Sequence, residues 1–95
     1  MSPTYPDVAS RLLEVCDMFR RGQVELAGLK AAVWSASGEI ALPQERPLRE
    51  FLQHAEGRLD MAEFTVDDDE LPKVLDDILL EVEAELRRYL LGGTG

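Results

Sequence analysis

Residues 72–91, PKVLDDILLEVEAELRRYLL, decide the fold. Leu75, Ile78, Leu79, Val82, Leu86, Tyr89 and Leu90 recur at the three- and four-residue spacing that sets one face of an α-helix against a core. It is the strongest helical stripe in the chain, and Gly92 and Gly93 end it. An amphipathic helix of this kind draws its stability from packing, so the rest of the sequence must supply partners.

Three weaker stripes lie upstream. Behind Pro6, with Asp7 as the expected cap, Val8, Leu12, Val15, Cys16 and Phe19 share one face of a helix over 7–21. Arg20 and Arg21 suit its last turn, and Gly22 suits the left-handed position that follows. Leu26, Leu29 and Val33, with Trp34 on the flank, predict a second helix over 25–37. The Ser-Ala-Ser-Gly run and two prolines make 35–47 read as a loop. Pro47 at a first helical position then opens a third helix over 47–63, with Leu48, Phe51, Leu52, Ala55, Leu59 and Ala62 on its apolar face and Gly57 weakening it by about 1 kcal/mol relative to Ala. The acid-rich turn at 65–70 offers carboxylate caps to the fourth helix, 71–91. The terminal Gly92-Gly93-Thr94-Gly95 reads as a frayed tail. Four such faces cannot be buried separately, so the chain is expected to be all-α, a small antiparallel four-helix bundle forming a single domain over 1–95.

Composition limits what such a bundle can do. The 95 residues are 45% hydrophobic and 31% charged, with a formal charge of -9. That balance suits a compact domain and argues against nucleic-acid binding and anionic membrane surfaces, which would repel it. The single Cys16 allows no internal disulfide, and no basic, apolar leader or long apolar span is visible, so the expected location is the cytoplasm. Bundles this small are marginally stable, which leaves a homodimer open, with Leu13 and Leu80 off the stripes as the candidate contacts.

No catalytic or cofactor motif appears: there is no phosphate loop, nucleophile elbow or Cys-x-x-Cys pair. Cys16 reads as a core thiol, and His54, four residues after Glu50, as half of a surface i,i+4 contact. Asp67, Asp68, Asp69 and Glu70 do not make a calcium loop, because the sixth and twelfth places hold Pro72 and Ile78. No metal and no cofactor are expected. An acyl carrier protein is excluded by the lack of an Asp-Ser-Leu attachment site.

What stands out is where the acid lies. Residues 65–91 carry nine acidic and three basic side chains, against ten and seven elsewhere. Glu83 with Arg87 and Glu85 with Arg88 are spaced to pair, whereas Asp67, Asp68, Asp69, Glu70, Asp76 and Asp77 have no such partner. Glu56, Asp60 and Glu63 repeat along one flank of the third helix, where like charges repel. If that flank shares a side with the turn, the two sets form one anionic patch suited to a basic protein. A solvated acidic face is the alternative.

The stretch Glu50-Phe51-Leu52-Gln53-His54-Ala55-Glu56, the run from Phe64 through Asp67, Asp68, Asp69 and Glu70 to Leu71, and the opening Phe19-Arg20-Arg21-Gly22-Gln23-Val24 resemble immunity proteins of the colicin D type and their relatives in contact-dependent inhibition. The resemblance implies a non-enzymatic helical bundle that covers the basic active site of a cognate toxin nuclease with carboxylates standing in for RNA phosphates. Asp67, Asp68, Asp69 and Glu70 would then meet the toxin first, Glu56, Asp60, Glu63, Asp76 and Asp77 would extend the patch, and Trp34 is the candidate apolar anchor. A homo-oligomeric scaffold or adaptor, built on the exposed apolar positions, is the competing reading.

Overall fold

The computed structural model describes residues 4–92. The helices are α1 (Pro6–Arg20), α2 (Leu26–Glu39), α3 (Arg46–Thr65) and α4 (Leu71–Leu90), with one 3-10 turn at Pro43–Glu45 before α3. Each helix packs on its sequence neighbours, and α4 closes the ring on α1. Ion pairs between helices fix the directions. Arg20 at the end of α1 meets Asp76 near the start of α4, Arg11 near the start of α1 meets Glu39 at the end of α2, and Lys30 early in α2 meets Glu63 late in α3. The bundle is therefore antiparallel, as expected, and measures 42 × 22 × 21 Å.

The four stripes bury as their spacing requires. Leu75, Ile78, Leu79, Val82, Leu86 and Tyr89 of α4 face Val8, Leu12 and Cys16 of α1, Leu29 and Val33 of α2, and Leu48, Leu52, Ala55, Leu59 and Ala62 of α3 in one core. Leu13 packs against that core half-buried, whereas Leu80 is exposed. The reading of Cys16 as a core thiol agrees with its complete burial.

The largest correction concerns residues 35–47. α2 continues through Ser35, Ala36, Ser37 and Gly38 to Glu39 instead of breaking. Ala36, Ser37 and Ile40 continue the buried face of Leu29 and Val33, and the Ser37 hydroxyl donates to the Trp34 carbonyl at 2.6 Å, which satisfies its polar group inside the bundle. Burial thus outweighs the low helix propensity of the Gly, a cost of about 1 kcal/mol. Only residues 40–45 join α2 to α3.

Helix ends also differ from expectation. Asp7 lies in the first turn of α1 without capping it, and no carboxylate caps α4. Proline replaces them: Pro6, Pro47 and Pro72 each sit in a first turn, removing one amide that would otherwise lack a partner. At the other end of α1, Gly22 takes φ +76° as expected, and the Gly22 and Gln23 amides donate back to the Phe19 and Met18 carbonyls. Of the expected frayed tail, Gly92 is ordered by its amide, which donates to the Tyr89 carbonyl at 3.0 Å with φ +85°; the leaderless start, residues 1–3, and residues 93–95 lie outside the described residues.

Two ends of the bundle follow from this topology. One carries the turns at 21–25 and 66–70, and therefore most of the acid. The other carries a tyrosine latch. The Tyr5 amide donates to the Tyr89 hydroxyl at 2.8 Å, and the Ala41 and Leu42 amides donate to the Tyr5 hydroxyl at 3.2 and 3.3 Å.

Candidate functional site

Asp67, Asp68, Asp69 and Glu70 form the turn between α3 and α4, and all four are exposed. The turn is held by its backbone, since the Glu70 and Leu71 amides both donate to the Asp67 carbonyl, at 3.0 and 2.9 Å. Among the described residues no cation pairs with any of these four carboxylates; Lys73, one turn into α4, forms no ion pair either. Asp77, exposed on α4, and Glu56, half-buried on α3, are likewise without a cation partner among the described residues.

The remaining acids of the expected patch are engaged. Lys30 of α2 reaches Asp60 at 3.0 Å and Glu63 at 2.6 Å, and its ammonium lies 5.9 Å from the centre of the Phe64 ring. Hydrogen bonds to Glu63 and Asp60 hold the Lys30 pKa above its ordinary value. The repeated charges on this flank of α3 therefore have a structural use, as a clamp for a lysine that lies far away in sequence. Asp76 is also paired, to Arg20 of α1. The same guanidinium grips Glu83 through two bonds, 2.8 and 3.4 Å long, so Glu83 pairs across helices and not with Arg87. Glu83 is only 7% exposed, which makes this the one strongly desolvated carboxylate among the described residues. The Glu85–Arg88 pair forms as spaced, at 2.9 Å.

These pairs split the expected single patch. The Glu56, Asp60 and Glu63 flank faces α2, whereas the opposite flank of α3 faces α4, where Arg58 meets Glu81 at 2.6 Å. Trp34 is 56% exposed on α2. It lies one turn beyond Lys30, as Glu56 lies one turn before Asp60, so antiparallel packing carries both the same way along the α2/α3 seam. Trp34 therefore belongs to that seam and not to the turn.

Elsewhere chemistry is sparse. His54 is exposed, and Glu50 bonds Arg46 at 3.1 Å instead of His54. Burial, with a smaller push from Glu83, raises the Cys16 thiol to about 12, so at neutral pH it is a protonated core group. Among the described residues no three His, Cys, Asp or Glu side chains converge as a metal site, and no helix is long and apolar enough to cross a membrane.

Sequence reasoning passed over Lys30, read Arg20 as a helix-end cation without its carboxylate partners, and gave no role to the exposed side chains Met61 and Phe64, which are 63% and 77% accessible. A signal existed for the last two: both fall off the stripe of Leu52, Ala55, Leu59 and Ala62, at positions where a helix of this length faces water. Comparison with known proteins finds no protein family that matches the chain, no curated protein similar to it and no solved structure that matches it.

Proposed function

We propose that the chain is a non-enzymatic immunity protein, acting in the cytoplasm, that binds the basic active-site surface of a bacterial toxin nuclease, with a tRNA-cleaving enzyme as the expected target. The observation that carries the reading is the exposed turn of Asp67, Asp68, Asp69 and Glu70, four carboxylates without a cation partner among the described residues, at one end of a bundle that gives other acids such partners. Charges left in this way repel one another and return to the fold only their attraction to the N-terminus of α4, but they steer a cationic protein into contact. A nuclease must be basic where its substrate lies, and carboxylates occupy such a cleft without being cleaved.

Asp67, Asp68, Asp69 and Glu70 make the first contacts, and Asp77 adds to them, whereas Glu56 lies farther along the α2/α3 seam. Asp60, Glu63 and Asp76 engage only by exchanging Lys30 or Arg20 for a cation of the toxin. The test is capture from the native lysate at low salt, followed by an RNA-cleavage assay of the captured protein. The expected result is a basic nuclease whose activity the chain abolishes and the Asp67→Asn, Asp68→Asn, Asp69→Asn triple variant does not. A captured nuclease inhibited equally by both would overturn the site, and a captured protein without nuclease activity would overturn the function.

The scaffold reading keeps one supporting observation, the exposed Phe64 beside exposed Met61. It predicts a dimer or larger mass by light scattering that persists at high salt.

A further inference from the structure

Between the second half of α3 and the first half of α4 runs a groove of about 350 Å³. Ala62, Val74 and Ile78 line it with Met61 and Thr65 of α3 on one side and Asp77 of α4 on the other. The Arg58–Glu81 ion pair closes one end. The other end leads to the turn of Asp67, Asp68, Asp69 and Glu70. From Arg58 to Thr65 the groove runs about 10 Å, or two helical turns. Met61 is exposed on its rim although it has no place in the core stripe, and Asp77 has no cation partner among the described residues.

The trough is mixed in character: Met61 and Val74 give it open apolar surface over a floor of buried Ala62 and Ile78, while Arg58, Thr65 and Asp77 make the rest polar. With a carboxylate on one wall and four more at its mouth, it is complemented by an amphipathic segment with a narrow apolar edge flanked by lysine or arginine. We infer that this groove seats a basic amphipathic helix of the partner protein, whose apolar side chains lie against Met61 and Val74 while its cations meet Asp77 and the acidic turn. The inference rests on the reading of the acidic end as the docking surface for a basic protein, and it adds the apolar anchor that charge alone does not provide. Acidic contacts set approach and orientation; residence comes from the desolvated centre. The anchor thus lies beside the turn, on the α4 side of α3, and not at Trp34 on the opposite seam.

The test separates anchor from charge by sign. The probe is a short acetylated peptide of leucine and lysine at helical spacing, with oligolysine of equal charge as its companion, both titrated by fluorescence anisotropy at low salt. Met61→Glu adds a negative charge while removing the apolar wall. If only charge matters, it strengthens peptide binding; if the groove is used, it weakens binding about tenfold. Leu80→Glu adds the same charge on exposed α4 surface away from the groove and is expected to leave peptide affinity within about twofold. Oligolysine is expected to bind more weakly than the peptide and, having no apolar contact to lose, to bind Met61→Glu no more weakly than the wild type. Circular dichroism checks that both variants keep the wild-type fold, since both positions are exposed.

Unchanged or tighter peptide binding by Met61→Glu overturns the groove, and if the Asp67, Asp68, Asp69 triple variant still loses the peptide, the acidic end survives as a docking surface without it. A wild-type protein that binds neither probe overturns both.

Discussion

Asp60 and Glu63 stand at the end of α3, and Asp67, Asp68, Asp69 and Glu70 in the turn that follows, so by sequence they form one acidic region. In space they divide. The first two close on Lys30 across the α2/α3 seam, as Asp76 and Glu83 close on Arg20 across the α1/α4 seam, while the turn carboxylates point to water without a cation partner among the described residues. Seam acids lock helix to helix; turn acids contribute a field. The difference teaches that acid density does not identify a binding surface, and that the useful quantity is the acid left after tertiary pairing.

Removing a seam cation should break the comparison most severely. Arg20→Met leaves Glu83 buried without its partner, and the expected loss is about 2 kcal/mol in urea unfolding at neutral pH, the size of a charge-assisted bond whose cation is partly exposed. The double variant Arg20→Met, Glu83→Leu should recover most of that loss, because no uncompensated charge then stays buried. Lys30→Met should cost less than Arg20→Met, since Asp60 and Glu63 can turn to water.

The α1/α4 seam also has a pH signature. Burial, aided by the charge of Glu83, lifts Cys16 from 9.0 to about 12, so the unfolded chain releases this proton before the folded one. Its contribution to stability is therefore intact below pH 9 and lost as pH rises toward 12, with a slope of about 1.4 kcal/mol per pH unit. Cys16→Ala should flatten that limb between pH 9 and 10, measured by denaturant titration at each pH. Above that range Tyr89, whose phenol is also raised, by burial and by the Glu45 carboxylate nearby, adds its own loss in the same direction.

At the far end, Tyr89→Phe deprives the Tyr5 amide of its acceptor. About 1 kcal/mol is expected, independent of salt because the bond is neutral, whereas the Arg20→Met loss should shrink in high salt. Equal salt responses would mean that the two ends are not held by different forces.

How much of this was legible in the sequence depends on the range of the interaction. Helical stripes are local, so the faces of α1, α3 and α4 and the turn at Gly22 could be read off spacing alone. Ser35, Ala36, Ser37 and Gly38 misled because their propensity is local while the burial of Ala36 and Ser37 that overrides it comes from packing. Likewise, Lys30 meets Asp60 and Glu63 only after the connection at 40–45 folds α3 back along α2, and no spacing rule reaches that far. The free acids of the turn were identifiable because their neighbours in sequence are also their neighbours in space.

The smallest effect on the fold is therefore expected where the proposed effect on function is greatest. Asp67→Asn, Asp68→Asn and Asp69→Asn together keep side-chain size, leave the backbone bonds to the Asp67 carbonyl available and remove three repelling charges, so urea stability should change by less than about 0.5 kcal/mol. A gain is as consistent as a loss, because relieved repulsion opposes the lost attraction to the N-terminus of α4. Association with a basic partner should behave in the opposite way, with a slower on-rate and a shallower dependence on ionic strength, measured by stopped-flow mixing from low to high salt. If the triple variant instead unfolds at markedly lower urea, these carboxylates belong with Asp76 and Glu83 as part of the structure, and the division between seam and turn disappears.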